Sequence, residues 1–246
     1  VVAYNFGFMS QIDEIVALCQ KHKVTLVEDC AQALGARWEN KLAGSFGDYA
    51  VYSFGISKNI GFCGGLIASK ESMIIPKLPP LPKPHLRAAI IRTIAAPLFF
   101  QSSFYSLFRP FLREVLDKHL EPLTYGPSRY ARRVVLHQLK RYDKILALRR
   151  KNTLYSTQNV ISRVPLLGGN IHDSGLYLVL LEKERTRVQR QLEQKGVEFN
   201  TMRTFRCFER GKPKALQAEQ EHLVLALYRP RKELKKITII LNEYYR

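Results

Sequence analysis

Between Val24 and Ala68 the chain places an acid, an amide, a hydroxyl and an amine at short intervals. Asp29 and Gln32 lie in Glu28-Asp29-Cys30-Ala31-Gln32-Ala33-Leu34-Gly35-Ala36, and Ser53 and Lys58 lie in Ser53-Phe54-Gly55-Ile56-Ser57-Lys58-Asn59. Val24–Val27 reads as a strand, so Asp29 falls at its carboxyl end, where open α/β sheets bind ligands. Tyr49–Phe54 reads as another strand, with Ser53 at its end and Lys58 in the loop beyond. Pyridoxal phosphate chemistry needs these residue types. A lysine amine forms a Schiff base with the aldehyde and later moves a proton. A carboxylate keeps the pyridine nitrogen protonated, so that the ring acts as an electron sink. A hydroxyl helps to hold the phosphate. Lys58, Asp29 and Ser53 suit these roles in turn.

The elements that must position them alternate. Val1–Tyr4 is a short apolar strand. Ser10 is the expected N-cap of a helix with Ile12, Ile15, Val16 and Cys19 on one face and Asp13 and Glu14 in its first turn. Gly64–Ala68 is a further strand. Strand–helix–strand order argues an α/β layer. Pro76, Pro79, Pro80, Pro82 and Pro84 then exclude a regular helix or central strand where they cluster. Residues 128–151 have a basic helical pattern, with Val135, Leu139, Tyr142, Leu146 and Leu148 as its apolar face. Beyond it, Leu176–Leu181 reads as a strand and Glu184–Lys195 as a helix with Val188 and Leu192 inward. Gly196 stands at its C-terminal cap. Val197–Phe199 and Leu223–Tyr228 read as strands. Pro230 precedes a last helix with Leu234, Ile237, Ile240, Leu241 and Tyr244 on one face.

Four segments in order, Glu28–Ala36, Gly44-Ser45-Phe46-Gly47-Asp48, Ser53–Asn59 and Gly64-Gly65, resemble the DegT/StrS family of pyridoxal-phosphate-dependent sugar aminotransferases. The resemblance implies an α/β chain of the fold type I transferases: part of a large domain with a mixed sheet, plus a small C-terminal α+β domain. It implies that Asp29 meets the pyridine nitrogen, that Gln32 lies against the cofactor ring and its hydroxyl, that Ser53 binds phosphate, and that Lys58 carries the covalent link. Lys58 and Asp29 are then the catalytic pair. The implied reaction moves an amino group from glutamate to a keto group on a nucleotide-linked sugar, as in surface polysaccharide or amino-sugar biosynthesis, in a cytoplasmic homodimer. The domain division expected is 1–125 for the large-domain part and 126–246 for the connecting helix and small domain. Leu136-His137-Gln138-Leu139 and Arg149-Arg150 resemble the family's long helix more weakly. The sequence opens in what reads as mid-domain, so an N-terminally truncated member is expected.

Three positions differ from the family pattern. Phe62-Cys63-Gly64-Gly65 stands for G-E-G-G, Thr124-Tyr125-Gly126 for N-x-R, and Arg132-Arg133 for a pair of small residues. These keep open a second reading, a non-catalytic remnant acting as a dimerisation or membrane-associated scaffold.

Composition sets the outer bounds. A hydrophobic share of 46% with 24% charged residues excludes a disordered or collagenous chain. The four cysteines and six histidines have no metal-ligand spacing, so no metal is expected, and cysteines without a disulfide framework fit a reducing compartment. The net charge of +18 is uneven: −1 over residues 1–73, +12 over 74–151 and +7 over 152–246. A basic block suits a nucleotide diphosphate or an anionic membrane. No nucleic-acid-binding motif accompanies it, so nucleic acid is not an expected partner. Within the atypical stretch 76–112, Ala88–Phe108 is mostly apolar with Arg92 its one charge. It reads as interface, core or a segment in peripheral contact with the inner membrane face.

Overall fold

The computed structural model of the chain describes residues 1–9, 11–55, 58, 60, 64–74, 76–99, 125–164, 166–167, 172–197, 199, 201, 213–227 and 229–246. Strands β1 (Val2–Ala3), β2 (Val27–Asp29), β5 (Tyr49–Ser53) and β6 (Gly65–Ser69) form one sheet in the order β1-β2-β5-β6. The first three are parallel and β6 is antiparallel to β5. A hairpin of β3 (Arg37–Trp38) and β4 (Lys41–Leu42) lies between β2 and β5 in the chain. Helix α1 (Ile12–His22) follows a 3-10 turn at Asn5–Gly7. Ile12 is fully buried against Tyr4, Leu26 and Ala50, and Ile15, Val16 and Cys19 pack on the same cluster. Asp13 and Glu14 stand in its first turn and Lys21 and His22 in its last, each favoured by the helix dipole. The flanking residue at its start is Gln11, which makes no side-chain cap, so the expected cap by Ser10 is not the one seen; Ser10 itself lies outside the described residues.

The proline cluster does not exclude a helix at its far end. Helix α2 (Lys83–Phe99) holds Pro84 in its first turn, where the missing N–H has no intrahelical partner to lose. The first half of the apolar stretch from Ala88 is therefore helical. Its Ile91 and Ile94 are exposed, and its second half lies outside the described residues. Among the described residues, no helix is long and apolar enough to cross a membrane.

The basic pattern expected as one helix is two. Helix α3 (Arg129–Leu139) is capped by Ser128, whose hydroxyl accepts from the Ala131 N–H at 3.0 Å, and helix α4 (Tyr142–Asn159) follows a break at Lys140–Arg141. Val135, Tyr142 and Leu146 are buried as the spacing predicts, with Leu139 packed beside them, whereas Leu148 is exposed. Tyr142 and Leu146 continue the stripe across the break to buried Arg149, whereas Leu148 stands two residues, about 200° around the helix, from Leu146 and so leaves that face.

The C-terminal part is an antiparallel sheet, β7 (Leu166–Leu167), β8 (Tyr177–Leu181) and β9 (His222–Ala226), with helices α5 (Arg185–Gln194), α6 (Pro213–Glu221) and α7 (Arg231–Tyr244). Leu178, Leu180, Leu223 and Leu225 share a core with Leu192 of α5 and Leu241 of α7. Gly196 ends α5 at a φ of +81°, with the Val197 N–H returning to Leu192 O at 2.9 Å. Val197 and Phe199 are buried but form no assigned strand, and residue 198 lies outside the described residues. The opposite face of this sheet, Val179 paired with Val224, packs on Phe6 from the N-terminal 3-10 turn.

A second join is made at Gly35. The Tyr142 hydroxyl donates to Leu34 O at 2.6 Å and Arg150 donates to Gly35 O at 2.9 Å. Gly35 has a φ of +81°, and a Cβ there would lie 2.7 Å from Leu146 Cδ2. Gly35→Ala is therefore expected to destabilise the chain by about 1–3 kcal/mol, through backbone strain and overpacking together. A chemical denaturation midpoint equal to the wild type would contradict this.

Candidate active site

Strands β2 and β5 are parallel, so their carboxyl ends lie together. Asp29 ends β2 and is registered with Val51; Ser53, two residues further along β5, lies on the same face as Val51 and hence on the face of Asp29. One Asp29 oxygen accepts the Ala31 N–H at 3.0 Å, which fixes the carboxylate at the start of the following turn. The chain after Ser53 is held in a tied loop. Phe54 N–H donates to Gly64 O, Gly55 N–H to Ile60 O and Lys58 N–H to Gly55 O, at 2.8–2.9 Å. Phe54 and Ile60 are buried with Val135, Tyr142 and Leu146, so the loop is anchored on α3 and α4.

This anchoring makes Lys58 half-buried. Burial lowers its ammonium below the ordinary lysine range, and the Asp29 charge opposes that shift. Asp29 and Lys58, both singled out in the sequence, therefore act on one another. Because the folded value lies below the unfolded one, the unfolded chain binds more protons between the two. Stability then rises with pH in that window, and the cost of burying the cation is fully present below it. Lys58→Met is expected to raise the melting temperature at pH 7 by more than at pH 10.5. An equal shift at both pH values would contradict the burial of a charged amine.

Gln32 stands in the turn after β2. Its side-chain oxygen accepts the Phe6 N–H at 2.7 Å, and its backbone oxygen accepts the Ser174 hydroxyl at 2.8 Å. Phe6 adopts a φ of +61°, a strained conformation for an aromatic residue. It is buried and meets Phe8 and His222. Of the four residues expected at the site, Asp29 and Ser53 share a sheet face, Asp29 and Lys58 interact electrostatically, and Gln32 is tied to the N-terminal turn.

Glu28 was quoted in the sequence pattern without a role. It alternates with Asp29 along β2 and so faces the other side of the sheet, where it is fully buried. Its carboxylate accepts from the Tyr4 hydroxyl at 2.8 Å, the Gly44 and Phe46 N–H at 2.7 Å and the Gly47 N–H at 2.5 Å. The Gly44–Asp48 segment thus folds around Glu28. Burial drives the Tyr4 hydroxyl well above its ordinary range, reinforced by Glu28, and pushes the Cys30 thiol up to about 12. Cys30 is buried and behaves as a small core residue. Period-2 alternation could have marked Glu28 as a structural carboxylate. Ser174, 142 residues from Gln32, has no sequence signal.

The donor set fits pyridoxal phosphate: an amine whose cation is destabilised by burial, a carboxylate within its electrostatic reach, and a hydroxyl on the same sheet face. Among the described residues no group of histidine, cysteine or acid side chains could hold a metal ion.

This is the fold of the pyridoxal-phosphate-dependent aminotransferases. It superposes over 99% of its length on a DegT DnrJ EryC1 StrS aminotransferase from Brucella abortus, with a TM-score of 0.68, 15% identity and 63% of that chain covered. It also superposes on an E. coli GDP-4-keto-6-deoxy-D-mannose-3-dehydratase with bound hydrated PLP, with a TM-score of 0.68, 17% identity, and 97% and 66% of the two chains covered. Residues 1–81 match the model of the DegT/DnrJ/EryC1/StrS aminotransferase family. A UDP-N-acetyl-3-dehydro-alpha-D-glucosamine 3-aminotransferase of Acidithiobacillus ferrooxidans is 40% identical over 80 residues, which are 32% of this chain and 22% of that protein. The spore coat polysaccharide biosynthesis protein SpsC of Bacillus subtilis is 25% identical over 200 residues, 77% of this chain and 47% of that one. The chain thus spans less than half the length of these two curated relatives.

Proposed function

We propose that this chain is part of a pyridoxal-phosphate-dependent aminotransferase that acts on a nucleotide-linked keto sugar, with glutamate as amino donor. The observation that carries it is Lys58, half-buried on a loop tied to the carboxyl end of β5, with its cation disfavoured by burial and within the electrostatic reach of the strand-end carboxylate Asp29. The names of the relatives support the substrate class, among them a GDP-perosamine synthase of Vibrio cholerae. When bound, the cofactor supplies an electron sink next to the amino-bearing carbon. Lys58 would provide the amine that holds the cofactor and moves a proton. Asp29 holds a proton on the ring nitrogen. Ser53 binds phosphate oxygen, and Gln32 orients the ring edge. The division into residues 1–125 and 126–246, a homodimer and peripheral membrane contact through residues 88–108 complete the proposal.

The dehydratase among the structural neighbours offers the other chemistry carried by this fold. The lysine at position 58 favours amino transfer, because proton return at the amino-bearing carbon needs an amine there. The test is to incubate the chain with pyridoxal phosphate, reduce with borohydride and map the label by mass spectrometry. The label is expected on the peptide containing Lys58. A label spread over surface lysines, with none at Lys58, would favour the non-catalytic reading.

A further inference from the structure

We propose that Ser174 is a positioning residue for Gln32, acting from the C-terminal half of the chain on the turn that follows Asp29. The inference rests on the site reading above. Ser174 is fully buried and is wedged between two segments of the N-terminal sheet unit. Its hydroxyl donates to Gln32 O at 2.8 Å and its backbone N–H donates to Gly7 O at 3.1 Å. Gly7 makes the wedge possible. It has a φ of +85°, and a Cβ there would lie 1.9 Å from Ser174 Oγ and 2.8 Å from Gln32 O. The adjoining Gly175, with a φ of +63°, lets the same loop lie against α4, where a Cβ would come within 2.9 Å of Arg149 Cβ.

The circuit closes through Phe6. Its N–H donates to the Gln32 side-chain oxygen, its ring packs on Val179 and Val224, and it directly precedes Gly7. Gln32 is therefore gripped at two points, its backbone oxygen by Ser174 and its side-chain oxygen by Phe6. Both grips come from segments seated on the C-terminal sheet. With Oε1 engaged by a backbone N–H, the orientation of the carboxamide is fixed. The Gln32 side chain, which the site reading places against the cofactor ring, is thereby held in one orientation. Its flip is set by the fold of residues far away in the chain. Ser174→Ala removes one grip without adding bulk.

The test uses the chain itself with pyridoxal phosphate as probe, in Ser174→Ala, Gln32→Leu, the double variant, and Leu192→Ala as a control for general destabilisation in the C-terminal core. Ser174→Ala is expected to accelerate hydrogen exchange at the Phe6 amide by about tenfold or more. It is also expected to weaken pyridoxal phosphate binding about tenfold, and to add little in the Gln32→Leu background, as for two groups acting as one unit. Leu192→Ala is expected to lower the melting temperature with neither effect. Unchanged exchange at Phe6, unchanged cofactor affinity in Ser174→Ala, or equal changes in Leu192→Ala would overturn the inference. Absence of a Lys58 adduct in the wild-type chain would instead overturn the site reading, and the Phe6 exchange would still decide whether Ser174 sets Gln32.

Discussion

Lys58→Ala is expected to abolish the borohydride-stable adduct with pyridoxal phosphate and, in the active protein, to lower amino transfer by at least about 10²-fold through the proton-transfer role alone. The reason is positional. A surface lysine is protonated at neutral pH and is a poor nucleophile, whereas burial of Lys58 disfavours its cation and Asp29 only partly offsets this. The loop that carries it is tied by Gly55, Ile60 and Gly64 backbone bonds and anchored by buried Phe54 and Ile60. A lysine moved elsewhere in the chain therefore does not inherit the same environment. The onset of adduct formation should also fall at a lower pH than for free lysine, since the neutral amine is the reacting form. Mass spectrometry of the reduced chain across pH 6–10 measures both. Retention of a stoichiometric adduct in Lys58→Ala, or an onset at the pH of free lysine, would refute the assignment.

Glu28→Ala is expected to prevent the N-terminal sheet from folding. The fully buried carboxylate satisfies one phenol and three backbone N–H groups, its bonds from Tyr4 and Gly47 buried and those from Gly44 and Phe46 part-buried. Each buried donor left without a partner costs about 1–3 kcal/mol. The two buried donors, with a smaller share from the two part-buried ones, come to several kcal/mol, a large part of the stability of a typical domain, about 5–15 kcal/mol. Glu28→Gln is expected to be milder, because one amide oxygen still accepts while the NH2 group faces an N–H. Urea denaturation followed by far-ultraviolet circular dichroism, with Trp38 fluorescence reporting on the hairpin beside α1, would show the order wild type, Gln, Ala. A Glu28→Ala chain with wild-type midpoint would mean that the Gly44–Asp48 segment finds other acceptors.

Much of the site was legible because its residues are close in sequence. Asp29, Gln32, Ser53 and Lys58 fall within thirty positions, and strand periodicity places Asp29 and Ser53 at neighbouring strand ends. The helix faces of α1, α5 and α7 followed from their apolar spacing, since each packs on a single core. The pattern failed where local rules compete. Pro84 looked like a helix breaker but occupies the first turn of α2, and Leu148, counted with Leu146 on one face, is exposed because it lies two positions further along the helix and so on another face.

The sequence by itself determined which residue types stand at which short spacings and the order of the elements, because these are local properties. Tertiary structure alone decided which groups are buried, and burial is what changes their behaviour. Alternation along β2 sends Glu28 and Asp29 to opposite faces, and the fold buried the face of Glu28 against Tyr4 and the Gly44–Asp48 segment. It lowered the Lys58 cation by withdrawing it from water. It brought Ser174 to Gln32 and Tyr142 to Leu34 across more than a hundred residues, where only the packing of two sheets on shared helices and turns defines the distance.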